Sequence, residues 1–234
     1  MNQFIAVGTP GVTWVHFFPI GTTLIAAVFS FLLFRRYLTR TPSIYLLWWA
    51  IGIACYGLGT LAESLITLTG NTVFLNKFWY ITGALLGGYP LAQGSIYLLQ
   101  SRRFANIATA ISLPFVIMTS VLVAMSPVLP EVMESYRPTG AILGWKWIRM
   151  MTPFINTYAV IFLIGGAAVS SRRYFKSGKN LMQARGNALI AFGALMPGIG
   201  GSLAKAGYVE SLYVLEFLGL ILIWIGDRLC GNKS

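Results

Sequence analysis

The chain has 234 residues, 56% of them hydrophobic and 10% charged, whereas a soluble domain carries about a quarter charged residues; this is the composition of a membrane protein. The net charge of +11 does not indicate a nucleic-acid binder, because the basic residues fall in short clusters between apolar runs and not on one face of a water-facing domain. Two cysteines, Cys55 inside an apolar run and Cys230 near the C-terminus, do not make a disulfide framework.

A helix needs about 20 mostly apolar residues to cross a bilayer. Taken in order, such segments are expected at 12–34, 43–65, 76–99, 105–126, 151–171, 186–207 and 210–228, the last only if Glu216 is tolerated within it. The first charged residue is Arg35, so the opening run lacks the basic start of a signal peptide and is read as a retained helix. Of the 17 Lys and Arg residues, twelve fall on one side if the N-terminus is outside: Arg35, Arg36, Arg40, Arg102, Arg103, Arg172, Arg173, Lys176, Lys179, Arg185, Arg228 and Lys233. Lys77, Arg137, Lys146, Arg149 and Lys205 fall on the other. The positive-inside rule therefore predicts an all-α polytopic membrane protein with seven transmembrane helices, N-out and C-in.

Trp14, Phe17, Trp79, Tyr80, Trp145 and Trp147 at the outer boundary, and Trp48, Trp49, Tyr97 and Trp224 in the inner half, read as interfacial anchors. The 127–150 connection is the one long outer segment. Its prolines argue against a continuous helix, and AILGWKW within it reads as a short piece lying flat in the interface.

Two phrases recur. RRYLTR (35–40) and GTLAES (59–64) match RRYFKS (172–177) and GSLAKA (201–206), with Glu63 exchanged for Lys205. One explanation is a pair of parallel three-helix repeats, 12–99 and 151–228, joined by the fourth helix at 105–126. The other is that arginine pairs and Gly-Ser/Thr-Leu-Ala are common in membrane proteins. If the second and sixth helices face each other, Glu63 and Lys205 lie at one depth and can pair. If not, Lys205 extends to the headgroups and Glu63 meets water.

Ionisable residues inside spans usually face a bundle interior, which makes Glu63, Lys205 and Glu216 candidate ligand-binding groups. Tyr89, Gln93 and Ser95 in GGYPLAQGS (87–95), and Asn156 and Tyr158 in the fifth segment, could add hydrogen bonds to a cavity. Pro90, Pro197 and Gly198 are candidate helix breaks, and interrupted helices point to substrate sites; close packing through small residues explains the glycines equally well. Catalysis finds little support. His16 is the only histidine, so no histidine cluster can bind metal. QGSI around Ser95 is not a nucleophile elbow, and the seventh segment has no lysine for a retinal Schiff base. No cofactor is assigned.

ARGNALIAFGALMPGIGGSLAKAG (184–207), and more weakly WWAIGIACYGLGTLAESL (48–65), resemble helices six and two of the seven-helix N-terminal sensor region of bacterial histidine kinases. That resemblance implies an input module of the bacterial inner (plasma) membrane, with the lipid bilayer around it and a cytoplasmic or membrane protein partner, no kinase domain following here. The expected function is a non-enzymatic sensory or ligand-binding module. The alternatives are a small-solute transporter with parallel three-helix repeats and an accessory subunit of a membrane complex.

Overall fold

A computed structural model describes residues 14–39, 43–178, 180–208 and 210–231. Arg40, Lys179 and Lys233 of the inner basic set, and the expected start of the first helix at 12–13, lie outside the described residues. The described chain is almost wholly helical and has no strand; its one β-bridge joins Val128 to Leu143.

The helices are α1 (Trp14–Thr39) and α2 (Ile44–Thr69), α3 (Val73–Trp79) and α4 (Tyr89–Leu99), α5 (Arg102–Met125), α6 (Lys146–Ser177) and α7 (Leu181–Lys205), and α8 (Glu210–Gly231). Local chemistry sets many of their ends. Gly70 (φ 89°) stops α2 and Gly178 (φ 64°) stops α6, taking positive φ angles at no Cβ cost. The side chains of Thr72, Ser101 and Asn180 accept the N–H groups of Leu75, Phe104 and Gln183 and so cap α3, α5 and α7. Pro90 opens α4, where a missing N–H costs nothing.

Helix covers most of the described part of each expected window, and among the described residues five helices are long and apolar enough to cross a membrane: α1, α2, α5, α6 and α7. The protein is thus a multi-pass membrane protein. The 73–99 stretch differs because α3 widens into a π-helical segment at Tyr80–Leu85 and turns at 86–88 before α4 begins. The expected break at Pro90 is there. The break expected at Pro197 and Gly198 is not, since α7 runs unbroken through both.

Neighbour packing closes a ring in the order α1, α2, α3–α4, α6, α7, α8 and back to α1, while α5 lies outside against α4 and the 80–85 segment. Glycines let α7 and α8 approach closely. A methyl at Gly193 would lie 2.6 Å from the Gly219 carbonyl, and one at Gly186 would lie 2.8 Å from that of Gly226. Gly200 meets Leu212 Cα in the same way at 2.9 Å. Gly198 and Gly201 face nothing within 4 Å, so small-residue packing accounts for the 186, 193 and 200 positions.

The 126–150 segment is a folded cap and not a strip lying in the interface. Ile142, Leu143 and Ile148 are buried in a core with Tyr80, Leu85 and Tyr89. Lys77 Nζ donates to the carbonyls of Ala124 and Ser126 at 2.8 and 2.7 Å. Asn71 Nδ2 donates to those of Glu134 and Arg137, joining the cap to the α2–α3 turn. Next to that turn Arg137 pairs with Glu134, whose carboxylate raises the pKa of the guanidinium further.

Candidate functional site

Glu63 and Glu216 each sit six residues from the cap-side end of their helices, α2 and α8, or about 9 Å in at 1.5 Å per residue. Glu63 is 1% exposed. Its Oε1 accepts the indole N–H of Trp79 at 2.7 Å. The two carboxyl groups lie within hydrogen-bonding reach of each other, and Oε2 of each is buried and receives no hydrogen bond from the described chain. The pair is reached from α3 because Gly59 and Gly83 allow backbone contact: a methyl on Gly59 would lie 2.8 Å from Gly83 Cα. The π-helical widening begins at Tyr80, directly after Trp79.

Aromatic groups surround the carboxyls. The Tyr56 hydroxyl donates to the Glu216 carbonyl at 2.9 Å. Tyr213, 2% exposed, lies within electrostatic range of Glu63, Glu216, Arg137 and Glu210. Its ring packs on His16 with centroids 5.4 Å apart, and His16 in turn meets Tyr136 of the cap at 6.3 Å. The chain thus builds a path of ring contacts from the cap down to the carboxyls.

Lys205 does not join this site. It is exposed at the end of α7, and no ion pair links it to Glu63 among the described residues. Of the two readings of Glu63 and Lys205, the pairing does not form because α2 and α7 are not ring neighbours; Lys205 is exposed, whereas Glu63 is buried beside a second carboxyl and not in water.

Three of the remaining candidates form a separate neutral network between α4, α5 and α6. Gln93, fully buried, donates to Thr109 Oγ1 at 2.7 Å and accepts from the Tyr158 hydroxyl at 2.6 Å. Tyr89 hydrogen-bonds Ser112 at 2.9 Å and packs on Tyr158 with ring centroids 5.7 Å apart. Ser95 only returns its hydroxyl to Leu91 O in its own helix, and Asn156 faces outward, exposed.

Several participants carried no functional reading in the sequence. Trp79 was expected to be an interfacial anchor but serves Glu63, and His16 is 2% exposed. Tyr80 and Trp49 are likewise buried, whereas Trp14 and Trp147 stay exposed as anchors do. A usable signal did exist: Tyr56 precedes Glu63 by seven residues and Tyr213 precedes Glu216 by three, spacings that share a helix face. At the opposite, arginine-rich end, Arg36 donates to Asp227 at 2.5 Å and ties α1 to α8.

Two recesses open between helices, and neither reaches the carboxyls: one lies between α6 and α7, the other between α1 and α2. Among the described residues no group of three or more His, Cys, Asp or Glu forms a metal-holding cluster. The chain matches no protein-family model, no curated protein and no solved structure.

Proposed function

We propose that this chain is a seven-helix, non-enzymatic sensory module of the membrane, N-out and C-in, with the Glu63–Glu216 pair as its input site and a partner protein as its output. In this reading the 73–99 stretch and α8 cross the bilayer with the five apolar helices. The break at 86–88 and the charges of α8 are tolerated because they face protein.

One observation carries the site: two buried carboxyls in contact, each with an oxygen that no donor reaches. Two carboxylates in such a place repel one another and have lost their water, so a positive charge must sit between them. Two carboxyl groups and an indole N–H fall short of the six to eight oxygens a calcium ion takes. A proton fits without needing a cavity. Its arrival or departure changes the charge that α2 and α8 share, which is the kind of local event that biases a helix arrangement. The groups facing the pair are Tyr56 on α2, Trp79 on α3 and Tyr213 on α8, with His16, Tyr136 and Arg137 above them.

Infrared spectroscopy of the reconstituted protein tests this. A protonated-carboxyl band is expected in the wild type and is lost in the Glu63→Gln/Glu216→Gln double variant. A spectrum with no such band at any pH where the protein is folded overturns the proton site. Cross-linking from the arginine-rich end tests the output: a partner whose capture differs between wild type and Glu216→Gln supports a sensor, and identical capture rejects it.

The transporter reading draws on a different observation, the interrupted helix at 86–88 beside the Tyr89–Gln93–Tyr158 network. Solute flux into proteoliposomes that stops with Gln93→Leu favours it over the sensor.

A further inference from the structure

The recess between α6 and α7 is apolar along its length and basic at one end. It is an open groove of about 510 Å³, within the range of roughly 300–1,000 Å³ for ligand sites. Small side chains make the space: Ala168 on α6 faces Ala188 and Ala191 on α7, with Phe192 beside them. Arg172 and Lys176, one turn apart on α6, stand at its arginine-rich end. Both are exposed, and neither has an ion-pair partner among the described residues.

Their lack of a counter-charge follows from the chain. No Asp or Glu occurs between Glu134 and Glu210, so the α6–α7 hairpin carries only positive charge. Asp227, the acidic residue at this end, is held by Arg36. Just under the groove the Ser171 hydroxyl donates to Ala184 O at 2.8 Å, fixing the two helices side by side. The groove therefore has an oily wall and a cationic mouth at the C-terminal end of α6, a span-capable helix.

We propose that this groove is a binding site for an anionic phospholipid, with one acyl chain against Ala168, Ala188, Ala191 and Phe192 and its phosphate on Arg172 and Lys176. Zwitterionic lipid fills the same apolar wall but carries no net charge to match the mouth. The site is independent of the carboxyl pair and stands whether or not that pair holds a proton.

The test is electron paramagnetic resonance with spin-labelled phosphatidylglycerol and spin-labelled phosphatidylcholine on the full chain reconstituted in phosphatidylcholine. Wild type is expected to prefer phosphatidylglycerol. A surface-near basic residue is worth about 1 kcal/mol to an anionic lipid, so Arg172→Gln and Lys176→Gln each lower the preference about fivefold at this site. Ala191→Phe, which places a ring in the groove, reduces the immobilised fraction of both lipids. Three results overturn the proposal: a preference unchanged in Arg172→Gln/Lys176→Gln; an equal loss in Arg102→Gln/Arg103→Gln, which marks diffuse surface attraction; and displacement of the labelled lipid by inorganic phosphate alone.

Discussion

GTLAES and GSLAKA are almost one phrase, yet the fold treats them as opposites. In α2, Gly59, Thr60, Ala62, Glu63 and Ser64 are all buried; in α7, Ser202, Leu203 and Lys205 are exposed, as is Ala206 just past its end. The difference comes from what stands beside each helix. α2 lies between α1 and the α3–α4 stretch, so its glycine meets a backbone and its carboxylate meets an indole. Near the end of α7, Gly200 packs on Leu212 of α8 while Gly201 faces nothing within 4 Å. Sequence similarity sets a helix's composition, but its neighbours decide what each residue costs.

The comparison breaks most visibly at the glycines. Gly59→Leu forces a side chain into the Gly83 backbone and is expected to cost about 3 kcal/mol or to prevent folding. Gly201→Leu, at the equivalent place in α7, stays within about 0.5 kcal/mol; thermal unfolding in detergent measures both. Next come the charges. A Glu63→Gln/Glu216→Gln cycle is expected to show coupling of about 0.5–3 kcal/mol, whereas a Glu63→Ala/Lys205→Ala cycle is additive within about 0.5 kcal/mol. Coupling in the second cycle would restore the charge pair.

A smaller effect separates the two arginine phrases. Arg36→Gln breaks the ion pair with Asp227, whose side chains are 23% and 12% exposed, and costs roughly 1–2 kcal/mol, between exposed and buried pairs. Arg173→Gln, the matching change in RRYFKS, leaves unfolding unchanged. Last, cysteine placed at position 205 reacts with a membrane-impermeant maleimide while cysteine at 63 does not, with no loss of stability in the 205 variant.

How much could be read without the fold follows from these residues. Long apolar runs reported themselves, because crossing a bilayer is a demand on composition. The break at Pro90 was legible since a proline opens a helix there; Pro197 misled because α7 runs unbroken through it, with Gly200 alone of Gly198, Gly200 and Gly201 packed on α8. Glu216 and Glu63 were singled out by their cost in an apolar run. Their contact was not, because it depends on which helices adjoin, and nothing in a single sequence states that order. Trp79 was hidden for the same reason, its indole being indistinguishable from that of an interfacial anchor.

Gly186, Gly193 and Gly200 recur every seven residues, and their contacts on α8 (Gly226, Gly219 and Leu212) recur at the same interval in the reverse direction. Such spacing works like the teeth of a ratchet. A slip of one or two residues between α7 and α8 drives side chains into backbone, and the next permitted step is a full seven residues, about 10 Å along the axis. That step would lift Glu216 clear of Glu63. The α7–α8 packing therefore holds the depth of the second carboxyl, and a bulky residue at Gly193 presses on Gly219, three residues along α8 from Glu216.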